Sequence, residues 1–461
     1  MFQLSGVTAD EFARAVRTGN EKFRVDRVVV QASGVKLRGR GILRVEPGKR
    51  LEIDLTLTGR NQPPQYKRVN TKKDAWTLSG VIDDDLHFRC ENVSPGGNLR
   101  ASNGLVTITR TLHSLELVTE RFDSPKAKRK RKAFEKRIGL KPASEGDADE
   151  SFSFEATLVD CELPAVNAGT KTTWVNDFLG EWWSSSANSF VGELPNARYA
   201  LIQAENKRDL EIYLRSKEGV RSPSEKDDWR QFRAFMAAVA FAAGMHPWPF
   251  RMRYMRGNHR ISERISAART PAKTDYSPFN RAIGRQESEA FGAAVRATTE
   301  FLQRDTPLTR QLVHLLFLFR EAGKRAVQLE IRTLALCALL EGLLRFLFKD
   351  FGFEQASSLP KSKGRFVTAE QVFRSVARKM QISWTDRMEP LFNEWRRARN
   401  PSAHGDFRAE LEPDTDEQQA AEQMFFGPSR VAGGFNMILL KLFGYRGVYR
   451  ASTVEDIYRR L

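Results

Sequence analysis

The chain changes its hydrophobic period part-way along. In the first part apolar residues alternate or cluster with β-branched ones, as in Arg24-Val-Asp-Arg-Val-Val-Val30, Leu51-Glu-Ile-Asp-Leu-Thr-Leu57 and Leu105-Val-Thr-Ile-Thr109. Every second side chain of a strand points to one face, so this pattern predicts short strands. Turn signals such as Glu46-Pro-Gly48 and Ser94-Pro-Gly-Gly97 separate them. Short, regularly spaced strands imply an antiparallel sandwich or barrel-like sheet. The strand pattern resumes at Phe152-Ser-Phe-Glu-Ala-Thr-Leu158.

A region of mixed character follows. One helix is expected from about Glu225 to Ala243, stopped by Gly244, and strands and connections from His246 to Asn280. From about Ala282 the period becomes helical. Phe291, Val295, Phe301 and Leu302 mark one helix, and Leu312, Leu315, Leu316 and Phe319 a second, entered through Thr306-Pro307. A third, about Val327 to Phe348, is apolar nearly all round between Leu334 and Leu343, as a central buried helix would be. Further helices are expected at about Ala369–Met380, Trp384–Ala398 and Glu417–Phe443.

These patterns predict an α+β multidomain chain. A β-rich domain at 1–175, antiparallel and sandwich-like, would carry a basic insertion at 124–151. A linking region at 176–281 would hold strands and one helix, and an all-α bundle would occupy 282–461. At roughly 150 residues per domain, 461 residues are consistent with such a division.

Charge narrows the partners. Lys and Arg number 74 against 57 Asp and Glu, a net charge of +17. This balance favours phosphate-bearing partners, though it says nothing about fold. Much of the surplus lies in Lys126-Ala-Lys-Arg-Lys-Arg-Lys132, continued by Lys136 and Arg137. That run reads either as a solvated loop or as a non-specific RNA or DNA contact driven by counterion release. No apolar stretch approaches the roughly 20 residues that cross a bilayer, and Met1–Val16 lacks the features of a secretory signal. Cys90, Cys161 and Cys337 lie far apart with no CxxC. The expectation is a reduced, cytoplasmic protein with no membrane contact, no metal and no cofactor.

The chemistry concentrates in Arg396-Arg-Ala-Arg-Asn-Pro-Ser-Ala-His-Gly405. On one continuous helix, Arg399 and His404 would stand about 140° apart. Asn400-Pro401 predicts a break, because the residue before proline is pushed out of the α region. Asn as N-cap and Pro in the first turn would begin a short new helix and let the two side chains converge. Cutting RNA without a metal needs a proton-transfer group and a cation for the phosphate. Histidine titrates near neutral pH, and arginine stays charged with a planar donor fork. One histidine cannot easily be acid and base in the same step, so a second copy of the chain is the expected complement. Arg253-Tyr-Met-Arg-Gly-Asn-His259 has similar spacing but reads as a surface turn.

The sequence Arg-Asn-x-x-x-His-Gly after an amphipathic helix resembles the HEPN family, whose active members are metal-independent endoribonucleases. The Thr306-Pro307 entry, the apolar helix with Glu341, and Phe232–Gly244 are similar to the ApeA-type branch found in bacterial anti-phage defence. The resemblance covers roughly Ala282 to Tyr445. It implies a catalytic pair at Arg399 and His404 with Asn400 beside it, transfer RNA or another structured RNA as substrate, a homodimer, and a phage-derived trigger. Glu341 would fit as a carboxylate facing the site, or as a helix-surface ion pair. The alternatives are a non-catalytic HEPN scaffold, or a nucleic-acid-binding regulator that uses the basic run. His314 reads as a core or boundary residue. His87, His113 and His246 have no partner at ligand spacing. Trp174, Trp182 and Trp183 read as core, domain seam or base-stacking residues.

Overall fold

A computed structural model provides the fold. It describes residues 9–18, 21–32, 35–46, 50–58, 76–82, 86–93, 99–102, 105–112, 114–117, 151–158, 161, 189–203, 209–217, 220, 222–244, 249–256, 259–266, 282–283, 288–323, 327, 329–352, 367–404, 417–452 and 457–461. The basic run 126–137, the rest of the insertion 124–150, the three clustered tryptophans, His113 and His246 lie outside these residues. So does the side chain of His87.

Two compact units emerge, neither contiguous in sequence. The first is Met1–Asp160, Asp209–Pro223 and Trp248–Pro271; the second is Cys161–Arg208, Ser224–Pro247 and Ala272–Leu461. The expected linking region 176–281 is therefore divided between the two.

In the first unit, α1 (Ala9–Thr18) leads into eight strands: β1 (Glu21–Ala32), β2 (Val35–Glu46), β3 (Arg50–Thr58), β4 (Trp76–Ile82), β5 (Leu86–Val93), β6 (Leu99–Ser102), β7 (Leu105–Leu112) and β8 (Ser114–Leu117). β9 (Phe152–Leu158) follows, and β12 (Leu210–Ser216), β13 (Arg251–Arg256) and β14 (His259–Ser266) join it later in the chain. The strands run β12-β9-β13-β14-β8-β5-β4-β1-β2-β3-β7-β6 in one hydrogen-bonded order, and every pairing described is antiparallel. Alternation does what it predicts: β9 buries Phe152, Phe154, Ala156 and Leu158 and leaves the residues between them half-exposed. Phe12 and Val16 of α1 join Leu51, Ile53, Leu55, Trp76 and Phe88 in one apolar core. A bulge after Val25 shifts the β1–β2 register, and Arg27 takes a left-handed conformation there (φ 51°).

The second unit opens with the hairpin β10 (Ser189–Glu193) and β11 (Ala197–Gln203) and the helix α2 (Glu225–Ala243). α2 has Ser224 as N-cap and ends at Gly244, whose φ of 68° is one that a Cβ disfavours. The remaining helices are α3 (Ser288–Leu302), α4 (Pro307–Ala322), α5 (Leu329–Asp350), α6 (Ala369–Met380), α7 (Glu389–His404) and α8 (Glu417–Leu442). Thr306 and Thr309 form a reciprocal capping box at the start of α4, with Pro307 just inside. One π-helical turn, Trp384–Met388, leads into α7.

Three sequence expectations need correction here. Residues 282–461 are not all helical, because β15 (Val448–Ser452) and β16 (Ile457–Arg460) form an antiparallel hairpin. The backbone of β15 lies so close to α8 that a Cβ on Gly433 would stand 1.7 Å from the Ala451 carbonyl oxygen. α5 is not buried all round, since Ile331 and Leu334 are 57% and 41% exposed. Finally, α7 does not break at Asn400-Pro401; it runs through to His404.

Candidate active site

α7 is seated by its apolar face. Leu391 and Trp395 are buried, while Asn393, Arg396 and Arg397 on the other side are exposed. Gly434 of α8 lets the two helices close up, because a Cβ there would meet the Leu391 side chain at 2.2 Å. Against α5 the seat is polar as well as apolar. Trp395 donates its indole N–H to the Cys337 carbonyl at 3.0 Å, and the Cys337 thiol faces the Trp395 carbonyl at 3.9 Å.

One helical turn further along each helix the same meeting recurs between charged groups. Four residues after Trp395 comes Arg399, and four after Cys337 comes Glu341. Side chains at i and i+4 stack along one face, so the first contact fixes the second. Arg399 Nη2 lies 3.4 Å from Glu341 Oε2, and its guanidinium sits 5.1 Å from the centre of the Trp395 ring. The other Glu341 oxygen accepts from Arg345 Nε at 2.9 Å. Glu341 thus spends one oxygen on its own helix and one on α7.

Arg399 remains available. Its side chain is 44% exposed, and one oxygen at 3.4 Å leaves most of its five N–H donors for a ligand. Glu394, a nearer carboxylate in sequence, faces elsewhere: it accepts from Arg430 Nη1 of α8 at 3.1 Å and lies 4.0 Å from Arg397. Arg345, Arg396 and Arg397 are exposed and Arg399 is half-exposed on α5 and α7.

Behind it stands an aromatic wall. Phe392 stacks near Trp395 at 5.8 Å, Phe373 of α6 meets both at 5.2 and 5.4 Å, and Arg374 lies 3.9 Å over the Trp384 ring. Burial pushes the Cys337 thiol up to about 12, against an opposing pull from Arg399 and a smaller push from Glu341. It is a protonated packing group at neutral pH and not a nucleophile.

Of the residues singled out in the sequence, Arg399 and Glu341 meet. The backbone of Asn400 and His404 closes α7, and their side chains lie outside the described residues. Positions 399 and 404 stand about 140° apart around one helix axis and about 7.5 Å apart along it. Pro401 costs that helix one N–H donor, whose acceptor would be the Arg397 carbonyl on the exposed face, where water can replace it. α8 likewise continues through Pro428. Proline after Asn400 was not a sufficient stop signal.

The second Arg…His pattern has a different fate. Arg253 and His259 lie on β13 and β14, and Arg256 pairs in register with His259. Arg253 is bound by carboxylates, at 3.2 Å from Glu263, whose side chain is fully buried, and at 3.4 Å from Glu155. It is part of a sheet and not a loose surface turn. His314 is exposed on α4 rather than in the core. Cys337 and Trp395 were missed as framing residues. The equal four-residue steps from Trp395 to Arg399 and from Cys337 to Glu341 are the signal that pointed to them.

Among the described residues no group of three or more His, Cys, Asp or Glu could hold a metal ion, and no helix is long and apolar enough to cross a membrane. Comparison of the chain with protein-family models, curated proteins and solved structures finds no match.

Proposed function

We propose that the chain is a metal-independent endoribonuclease of the HEPN type, acting as a homodimer on transfer RNA or another structured RNA in anti-phage defence. The observation that carries the reading is the setting of Arg399. It is a half-exposed guanidinium held by Glu341 and Trp395, with two further exposed arginines on its helix and a histidine five residues on. In this reaction Arg399 binds the scissile phosphate and stabilises its added negative charge. His404 removes the proton of the 2′-hydroxyl or delivers one to the 5′-oxygen as the P–O bond breaks, and Asn400 orients one of them. The products are a 2′,3′-cyclic phosphate and a 5′-hydroxyl.

The continuous α7 strengthens the case for two subunits. Positions 140° apart serve one phosphate most simply when the Arg of one copy faces the His of another. Large apolar side chains stand exposed on α4 (Val313, Phe317, Leu318) and α5 (Ile331, Leu334), two helices that pack on each other. A second copy is the occupant we assign to them.

The test is cleavage by folded Arg399→Ala and His404→Ala proteins. Both should lose it, and retention of parental cleavage by either would rule out the assignment. One observation favours a second reading, a non-catalytic scaffold: Arg399 is ion-paired across α5 and α7, as a structural clamp would be. A clamp predicts that Arg399→Ala lowers stability and that the parent cuts no RNA.

A further inference from the structure

One carboxylate holds two arginines beside the candidate site. Glu341 Oε1 accepts from Arg345 Nε at 2.9 Å, and Glu341 Oε2 lies 3.4 Å from Arg399 Nη2. The first contact stays within α5 and the second crosses to α7, so guanidinium groups from two helices meet across one anion. Among the described residues, Glu341 is the one carboxylate that either arginine pairs with. The three groups together carry a single net positive charge. Arg345 gives Glu341 its Nε–H, which leaves the four N–H donors of its terminal nitrogens.

The carboxylate lies deeper than the cations it holds. Glu341 keeps 18% of its side chain exposed, against 48% for Arg345 and 44% for Arg399. An anion arriving from solvent meets two guanidinium groups before it meets Glu341. The flank of Arg345 away from Glu341 is open as well. Around the axis of α5, Arg345 stands about 40° from Glu341 on one side and about 60° from Gly342 on the other. Gly342 and Ala338 are both exposed, and a Cβ added at Gly342 would meet nothing within 4 Å. Level by level, α5 and α7 run in parallel: Cys337 meets Trp395, and Glu341 meets Arg399. A third equal step brings the backbone of Arg345 level with Ala403, in the turn where α7 ends at His404.

We infer that Arg345 binds a second phosphate of the RNA, the neighbour of the phosphate held by Arg399. This subsite rests on the cleavage reading and extends it from one phosphate to a strand. Glu341 stands between the two guanidinium groups, so a single phosphate reaching both would also face that carboxylate, which repels it. Successive phosphates of one strand avoid the clash by meeting the two arginines on either side of Glu341. Such contacts set the register of the strand without reading its bases.

The test is a cycle between protein and substrate. A synthetic RNA stem-loop carries a site mapped in total RNA cut by the parent chain. It is prepared with a neutral methylphosphonate replacing the phosphate on the 5′ or the 3′ side of the cut bond. Steady-state cleavage is then compared for the parent, Arg345→Gln and Arg345→Lys, with thermal melting to verify that the variants fold. Glutamine keeps a donor for Glu341 and loses the charge. On the natural strand Arg345→Gln should raise KM about tenfold, the scale of one charge-assisted hydrogen bond, and change kcat far less. Arg345→Lys should recover most of that loss. One of the two methylphosphonates should cost the parent the same factor and cost Arg345→Gln nothing further. A folded Arg345→Gln with the parental KM on the natural strand would overturn the subsite and leave the cleavage reading standing. So would a variant that loses as much as the parent at both neutralised positions. A parent chain that cuts no RNA ends both.

Discussion

β13–β14 and α7 carry the same short motif, an arginine followed within a few residues by a histidine, and the fold uses it in opposite ways. On the sheet, Arg253 is clasped by Glu155 and by Glu263, whose side chain has no exposure at all. On the helix, Arg399 touches one oxygen of Glu341 and leans on Trp395 with almost half of its side chain in solvent. Two carboxylates, one of them buried, consume an arginine. One shared carboxylate aims it. Spacing alone cannot separate these cases; the number and burial of the counter-charges can.

The comparison is broken most directly at the two arginines. Arg399→Ala should reduce RNA cleavage by about 10²–10³-fold, the usual scale for losing a group that stabilises transition-state charge. Arg253→Ala should leave cleavage at the parental rate. If the two variants behave alike, the contrast in counter-charge has no functional meaning. Next in size is assembly: Phe317→Glu combined with Ile331→Glu should raise the dimer dissociation constant by about a hundredfold. Sedimentation velocity reads this as a shift to monomer, and a folded variant that remains dimeric removes α4 and α5 from the interface.

Stability should reverse the ranking of the two arginines. Arg253→Ala removes one of the cations beside the buried Glu263, with Arg251 still in place, and should cost about 2 kcal/mol in urea unfolding. Arg399→Ala breaks a part-exposed pair and should cost under about 1 kcal/mol. A larger loss at Arg399 would favour the clamp. Glu341→Gln keeps the shape of the side chain but loosens the aim of Arg399. It should lower cleavage about tenfold, mostly through KM, with melting unchanged.

The smallest effect concerns Cys337. Its folded thiol holds a proton up to about 12, against an ordinary value of 9.0. The stability it contributes is complete below pH 9 and is lost as pH rises toward 12, because the unfolded chain releases the proton first. Cys337→Ser should therefore flatten the alkaline fall in stability without altering cleavage at neutral pH. An unchanged alkaline slope would show that this thiol is not the buried group responsible.

Much of the helical half could be read from the chain. Thr306-Pro307 and Gly244 are local signals that act within a turn, and each does so in the fold. The strands of the first unit were legible for the same reason, since alternation is local. Three kinds of feature were not. The exposed stripe of α5 was hidden because apolar residues at Ile331 and Leu334 look the same whether they face a core or a second subunit. The division of 176–281 depends on β12, β13 and β14 pairing with β9 and β8, contacts that no local pattern encodes. The persistence of α7 through Pro401 depends on Arg397 being exposed, where water can take the lost hydrogen bond. At the candidate site Arg399, Asn400, His404 and Glu341 were visible as residue types. The Trp395–Cys337 lock that aims two of them exists only once α5 and α7 are packed.

The account turns on a ribose hydroxyl attacking its own phosphate without a metal. The decisive measurement incubates the purified chain with total RNA in excess EDTA and determines the chemistry of the new ends. The account predicts undiminished cleavage, with 2′,3′-cyclic phosphate on one fragment and 5′-hydroxyl on the other. Cleavage that EDTA abolishes, or fragments bearing 5′-phosphate and 3′-hydroxyl ends, would contradict it.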